Sequence, residues 1–304
     1  MKRTFFVAII SAMLALSVGA QQQADPEGDF IFRIIDNGRA AAITGYTGNA
    51  TDLRIPARIQ NLPVTMIGAE AFWEKRLTSV SIPDSITHIF NDAFLSNQLT
   101  SVSIGNSVTH IGSGAFYSNH LSGVSIPDGV TYIGAAAFAD NRLTGVSIPG
   151  SVTKISEMAF AGNLLTAISI PDGVMRIGDW AFWDNELTSV SIPDSVTHIG
   201  DGVFGYNDLI SVSVPDSVTH IGEWAFEGNL LVSVSISDNV THIGASAFAN
   251  NQLTDIAIPD SVTYIGEGAF ARNKLTGVSV PSDADVSPDA FDPDVTITRR
   301  ESKK

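Results

Sequence analysis

Five histidines share one column of this sequence: His88, His110, His198, His220 and His242 are separated by 22 residues or multiples of 22. The last three are consecutive members, and imidazoles stacked at strand spacing could chelate a metal. Tyr132, Lys154, Arg176 and Tyr264 fill the rest of the column, however, and a cationic side chain is a poor ligand, so no metal is assigned. A second column holds Asp84, Asp128, Asp172, Asp194, Asp216, Asp238 and Asp260. Such a row could bind calcium, but most of these aspartates follow a proline, where turn chemistry accounts for them more simply. Gly200-Asp201-Gly202-Val203-Phe204-Gly205 matches a dinucleotide-binding glycine pattern without the βαβ context that would make it one. No nucleophile with its base, no H-E-x-x-H and no phosphate-binding loop is present. Catalysis needs groups that converge in a pocket, so no catalytic residue and no cofactor is expected, and the chain reads as not an enzyme.

These columns exist because one 22-residue unit recurs, typified by Leu187 to Asp208, LTSVSIPDSVTHIGDGVFGYND. Phe72, Phe94, Phe116, Phe138, Phe160, Phe182, Phe204, Phe226, Phe248 and Phe270 fall at this constant interval. A fixed period of this length predicts a solenoid, in which each coil buries its apolar face on its neighbours. Inside the unit, Val190-Ser191-Ile192 alternates as a half-buried strand. Pro193-Asp194-Ser195 then turns the chain. Val196 and Ile199, three apart, predict a bent or partly helical segment, Gly200 a corner, and Val203-Phe204 an inward-packed short helical turn. Asn97, Asn119, Asn141, Asn163, Asn185, Asn207, Asn229, Asn251 and Asn273 stand three residues after the phenylalanine. A polar amide between buried Phe and Leu must be satisfied, which predicts an internal asparagine ladder.

The chain has 304 residues, 44% of them apolar and 16% charged, which suits one elongated packed domain and not a disordered chain. Its formal charge of −15 repels phosphate backbones, so nucleic acid is not an expected partner. Cysteine is absent, and compartment must be read elsewhere. Met1–Ala20 supplies it: Lys2 and Arg3, an apolar run from Phe5 to Val18 and a small-residue exit at Val18-Gly19-Ala20 read as a secretory signal peptide. The run is short for a membrane span of ~20 residues, and no other of that length follows, so no span is expected after cleavage. Residues 21–29 read as a flexible polar segment, 30–67 as an N-terminal cap with an irregular first coil, 68–281 as the repeat array, and 282–304 as a C-terminal cap and polar tail.

The unit L-x-x-V-x-I-P-x-x-V-x-x-I-G-x-x-A-F-x-x-N resembles the leucine-rich repeats of the Treponema pallidum type, often called BspA-like. Tyr46-Thr47-Gly48 and Leu53-Arg54-Ile55-Pro56 look like the way such proteins begin. The resemblance implies a right-handed solenoid with a parallel β-sheet on one face and short helical or irregular turns on the other. It also implies a bacterial secreted or cell-surface protein, several relatives of which are adhesins. Asparagine stands where many family repeats carry cysteine, and the unit is one residue shorter. No accessory adhesion domain and no wall-sorting signal is visible.

Two surfaces are candidates for a partner. Columns of hydroxyls that include Thr188, Ser191 and Ser213 should face outward from the sheet, either as a binding face or simply as residues that keep it soluble. Trp180, Trp183, Tyr206 and Trp224 occupy variable positions in three successive coils, with Trp73 and Tyr117 at neighbouring positions earlier. Such rings either form a contact patch or pack laterally between coils. The expected function is binding to a protein or glycan on a host or neighbouring cell. The alternative is a structural or self-associating envelope protein with no specific ligand, and the sequence sets no oligomeric state.

Overall fold

The computed structural model describes residues 23–301; the expected leader, residues 1–20, lies outside the described residues. In most coils the V-S-I stretch makes a short strand or a single bridge that pairs in parallel with its equivalent one coil away, as Ser211–Ser213 does with Ser233–Ser235, although the coil around Ile256 has neither. Asp52–Arg54, Ser79–Ser81 and Ser101–Ser103 form a separate three-stranded ladder on the same side nearer the N-terminus.

A second ladder runs along the histidine column, where a bent or helical segment was expected. Lys154–Ile155, Arg176–Ile177, His198–Ile199, His220–Ile221, His242–Ile243, Tyr264–Ile265 and Asp285–Val286 are hydrogen-bonded in that order. The three-residue spacing of Val196 and Ile199 arises because Val196 still belongs to the turn, its N–H donating to Pro193 O at 3.0 Å, and the strand begins only at His198. The expected helical turn around the phenylalanine is also absent: among the described residues the only helical pieces are the 3-10 turns Glu27–Asp29 and Asp36–Gly38.

Between these sides lies one continuous core. The ten phenylalanines are fully buried and stack ring on ring, with centroid separations from 5.0 Å at Phe72–Phe94 to 5.7 Å at Phe160–Phe182. Removing one such ring would cost about 3–5 kcal/mol, because its neighbours in the stack cannot collapse into the gap. Both ends of the stack are closed. Phe30–Ile35 pairs antiparallel with Ala40–Tyr46, and the rings of Phe30 and Tyr46 pack on Phe72. At the other end Phe291 stacks on Phe270 at 5.2 Å, although the interval has shortened by one residue. The final strand, Thr296–Arg300, pairs with Gly277–Pro281, and the Arg300 guanidinium reaches back to Asp260, to Ser279 O and to Ile258 O.

The asparagine column is internal and bonded. Asn207 accepts the Leu187 N–H at 3.0 Å on Oδ1, while its Nδ2 donates to Phe182 O at 3.0 Å and Phe204 O at 3.2 Å. One amide therefore serves backbone groups of its own turn and of the preceding coil. The same three contacts recur at every asparagine from Asn97 to Asn273. Asn207→Leu leaves the Leu187 donor and the Phe182 acceptor buried without partners, and should lower unfolding free energy by about 1–3 kcal/mol in urea titrations. An unchanged midpoint would show that those groups find other partners.

Candidate partner-binding surface

The side of the coil that carries the aromatic residues is an unusual turn. Two positions in each unit, two residues before and two residues after the phenylalanine, have φ between +48° and +67° at all ten coils. They include Met158 (+52°), Trp180 (+54°), Trp224 (+54°) and Tyr206 (+52°), bulky residues that seldom adopt this region. The reward is hydrogen bonding between coils. Trp180 N, Phe182 N and Asp184 N donate to Asp201 O, Val203 O and Gly205 O at 2.7, 3.0 and 3.0 Å, and the pattern repeats along the solenoid, always from one coil to the next. At the last regular coil an aspartate replaces the missing neighbour: Asp292 accepts from Arg272 N at 2.8 Å and Asn273 N at 3.2 Å.

Trp180 and Trp183 are half-buried because each ring lies on a glycine of the following coil. A Cβ added to Gly202 would sit 2.2 Å from Trp180 Cδ1, and one added to Gly205 would sit 2.3 Å from Trp183 Cζ3. Tyr206 leans in the same way over Gly228. Two of the three glycines of the apparent nucleotide motif, Gly202 and Gly205, are thus seats for aromatic rings, while Gly200 lies against Asp179. Lateral packing and outward display coexist, since Tyr206 and Trp224 remain exposed. Trp183 and Tyr206 touch with centroids 4.7 Å apart. Tyr117 faces the Asp140 carboxylate, which raises its phenol above the ordinary value. Three further exposed apolar residues, Ile210, Leu230 and Val232, escaped the sequence reading. Ile210 and Val232 replace threonine in the hydroxyl column, and that interruption was the available signal.

Ser191 and Ser213 lie on the strand side, whereas Thr188 stands where the turn runs into the strand, in the column that Ile210 and Val232 occupy in the next two coils, each just before the strands Ser211–Ser213 and Ser233–Ser235. Ser191 and Ser213 line an open groove with Asp194, Asp216 and Ser237. The hydroxyl of Thr188 donates to Thr166 O at 3.5 Å, and Thr78 and Thr100 donate at 3.1 and 3.2 Å to the preceding coil, so this column also serves the ladder.

On the remaining side, His198 stacks with His220 at 5.8 Å and His220 with His242 at 4.5 Å. Among the described residues no group of three or more His, Cys, Asp or Glu is placed to hold a metal ion. Burial pushes His220 below the ordinary histidine value of 6.5, and the charges of His242 and His198 push it further the same way.

A lowered value means that the unfolded chain takes up protons first, so this contribution is intact above 6.5 and is lost as pH falls through the depressed value. Between about pH 7.5 and about pH 5 the melting temperature should therefore fall more, or rise less, in the unaltered chain than in His220→Gln. Equal pH slopes for the two proteins would show the stack to be uncoupled from folding. Gly202→Ala adds a Cβ under Trp180 at φ +59° and should cost about 1–3 kcal/mol in denaturant titrations, less in a Trp180→Ala background. Equal costs in both backgrounds would mean that the ring can move aside freely.

Comparison with known proteins agrees with this geometry. A family model described as "BspA type Leucine rich repeat region" matches in six copies, over residues 65–188 and 177–298. A leucine-rich repeat protein structure from Bacteroides ovatus is 25% identical with a TM-score of 0.65, the match covering 85% of this chain and 65% of that one. This chain therefore spans just under two thirds of that protein's length. A leucine-rich cell surface protein from Faecalibacterium prausnitzii is 28% identical with a TM-score of 0.53, covering 91% and 95%. The pneumococcal vaccine antigen PcpA shares the fold at 17% identity and a TM-score of 0.64, covering 90% and 87%. No curated protein matches. With the matched span, the 22-residue coil and the stacked core coinciding, the chain belongs to the BspA-type leucine-rich repeat family.

Proposed function

We propose that this chain is a secreted or surface-displayed recognition protein that adheres to macromolecules of a host or neighbouring cell, with contact made by the turn side between residues 180 and 232. One observation carries the reading: large apolar side chains break an otherwise small and polar surface there. Tyr206, Ile210, Trp224, Leu230 and Val232 are 47%, 53%, 36%, 46% and 53% exposed. Aromatic residues with a polar handle, set beside aliphatic ones, are the composition of contact hot spots. The likeness to a cell surface protein from Faecalibacterium prausnitzii supports an extracellular setting, as does the signal-like N-terminus. No helix among the described residues is long and apolar enough to cross a membrane.

Labelled chain should bind intact cells or immobilised matrix proteins and glycans, and Trp183→Ala/Trp224→Ala should weaken that binding by about tenfold or more while the melting curve stays cooperative. Undiminished binding by the variant would remove the turn side from the reading. Concentration-dependent assembly in sedimentation with no capture of any surface would replace adhesion with a self-associating envelope role.

A further inference from the structure

Charge is distributed unevenly along this solenoid. Residues 177–271 contain 13 aspartates and glutamates and not one lysine or arginine. Residues 1–176 carry 11 bases against 13 acids, and residues 272–304 six of each. Nearly all of the net −15 therefore lies on the stretch that also carries the exposed apolar side chains.

Around those side chains the carboxylates of Asp184, Glu186, Asp208 and Glu223 are exposed. None of the four takes part in an ion pair: among the described residues the ion pairs are Arg39–Asp36, Arg54–Asp52 and Arg300–Asp260. Asp179 and Asp201 differ, each accepting a backbone N–H of the following coil. The aromatic turn thus presents rings and carboxylates with no counter-charge from its own chain. A guanidinium matches both, since it stacks flat on an aromatic face and pairs with carboxylate through parallel N–H groups. A polyanion would be repelled, and an uncharged glycan could use the rings but would leave the carboxylates idle.

We infer that the turn side between residues 180 and 232 docks a cationic, arginine-bearing segment of a partner protein. This rests on the adhesion reading above and specifies its occupant. Arginine side chains stack on Trp183, Tyr206 and Trp224, their charge is met by Asp184, Glu186, Asp208 and Glu223, and apolar neighbours in the segment cover Ile210, Leu230 and Val232. The field of the Lys- and Arg-free stretch steers such a segment toward this half of the solenoid.

The probe is a synthetic peptide of arginine, leucine and serine, compared with its analogue carrying glutamate for arginine. Both are titrated into the full chain and followed by calorimetry and tryptophan fluorescence, three of the four tryptophans being on this side. The arginine peptide should bind at least about tenfold more tightly than the glutamate peptide and weaken as salt is raised. Neutralising the four carboxylates together (Asp184→Asn, Glu186→Gln, Asp208→Asn, Glu223→Gln) should remove about that tenfold advantage, whereas Asp128→Asn/Glu157→Gln should leave it in place. Equal affinity for the two peptides, or full affinity in the neutralised variant, overturns the inference. If cells still capture the chain through Trp183 and Trp224 while the arginine peptide fails, adhesion stands and the cationic occupant falls. Salt-independent capture of a neutral oligosaccharide in place of the peptide makes the occupant a glycan and likewise overturns it.

Discussion

A buried asparagine that bonds two coils at once is the joint on which this molecule depends. A coil of 22 residues leaves many backbone groups without partners of its own, and a buried N–H or C=O left unpaired is costly. Asn207 answers three such groups, the Leu187 N–H, the Phe182 carbonyl and the Phe204 carbonyl, with one side chain. Because the Phe182 carbonyl belongs to the preceding unit and the Leu187 N–H to the start of its own, nearly a full turn earlier, the asparagine also fixes how far and at what angle successive coils sit. That spacing lets Phe182 and Phe204 stack at 5.7 Å with planes 4° apart. Packing supplies most of the driving force, and the amide supplies register.

The same requirement shapes the surface. On the turn side, cross-coil bonds are obtained by placing two residues per unit at positive φ, where β-branched side chains and proline are excluded. Neither column contains valine, isoleucine, threonine or proline in any of the ten units. Side chains standing there lean over the following coil, which is why Trp180 and Tyr206 rest above Gly202 and Gly228. The strand sides have less freedom, since their outward threonines and serines continue the ladders or keep them hydrated. Variation in bulky side chains is thereby directed to the turn.

Much of this was legible from the period alone. The phenylalanine and asparagine columns have no plausible place except inside, and the structure buries both, leaving only Asn273 at the C-terminal end partly exposed. The second strand ladder was not legible, because a two-residue strand such as His198–Ile199 is too short to show alternation, and the turn before it mimics helical spacing. Positive φ was hidden for a different reason: glutamate, methionine and tryptophan are not residues that announce it, and the clue lay in what the two columns omit. Ile210 and Val232 were concealed by chemistry, since both suit a strand as well as the threonine they replace.

The one-way hydrogen bonding of the turn has a consequence for evolution. Every internal unit offers its successor the same three donors and its predecessor the same three acceptors, while Phe30 and Tyr46 close one end and Asp292 the other. A whole unit could be duplicated or deleted by recombination without creating a mismatched seam. Copy number is then nearly free to drift, so that lineages can lengthen or shorten the molecule as a ruler while both terminal closures stay as they are.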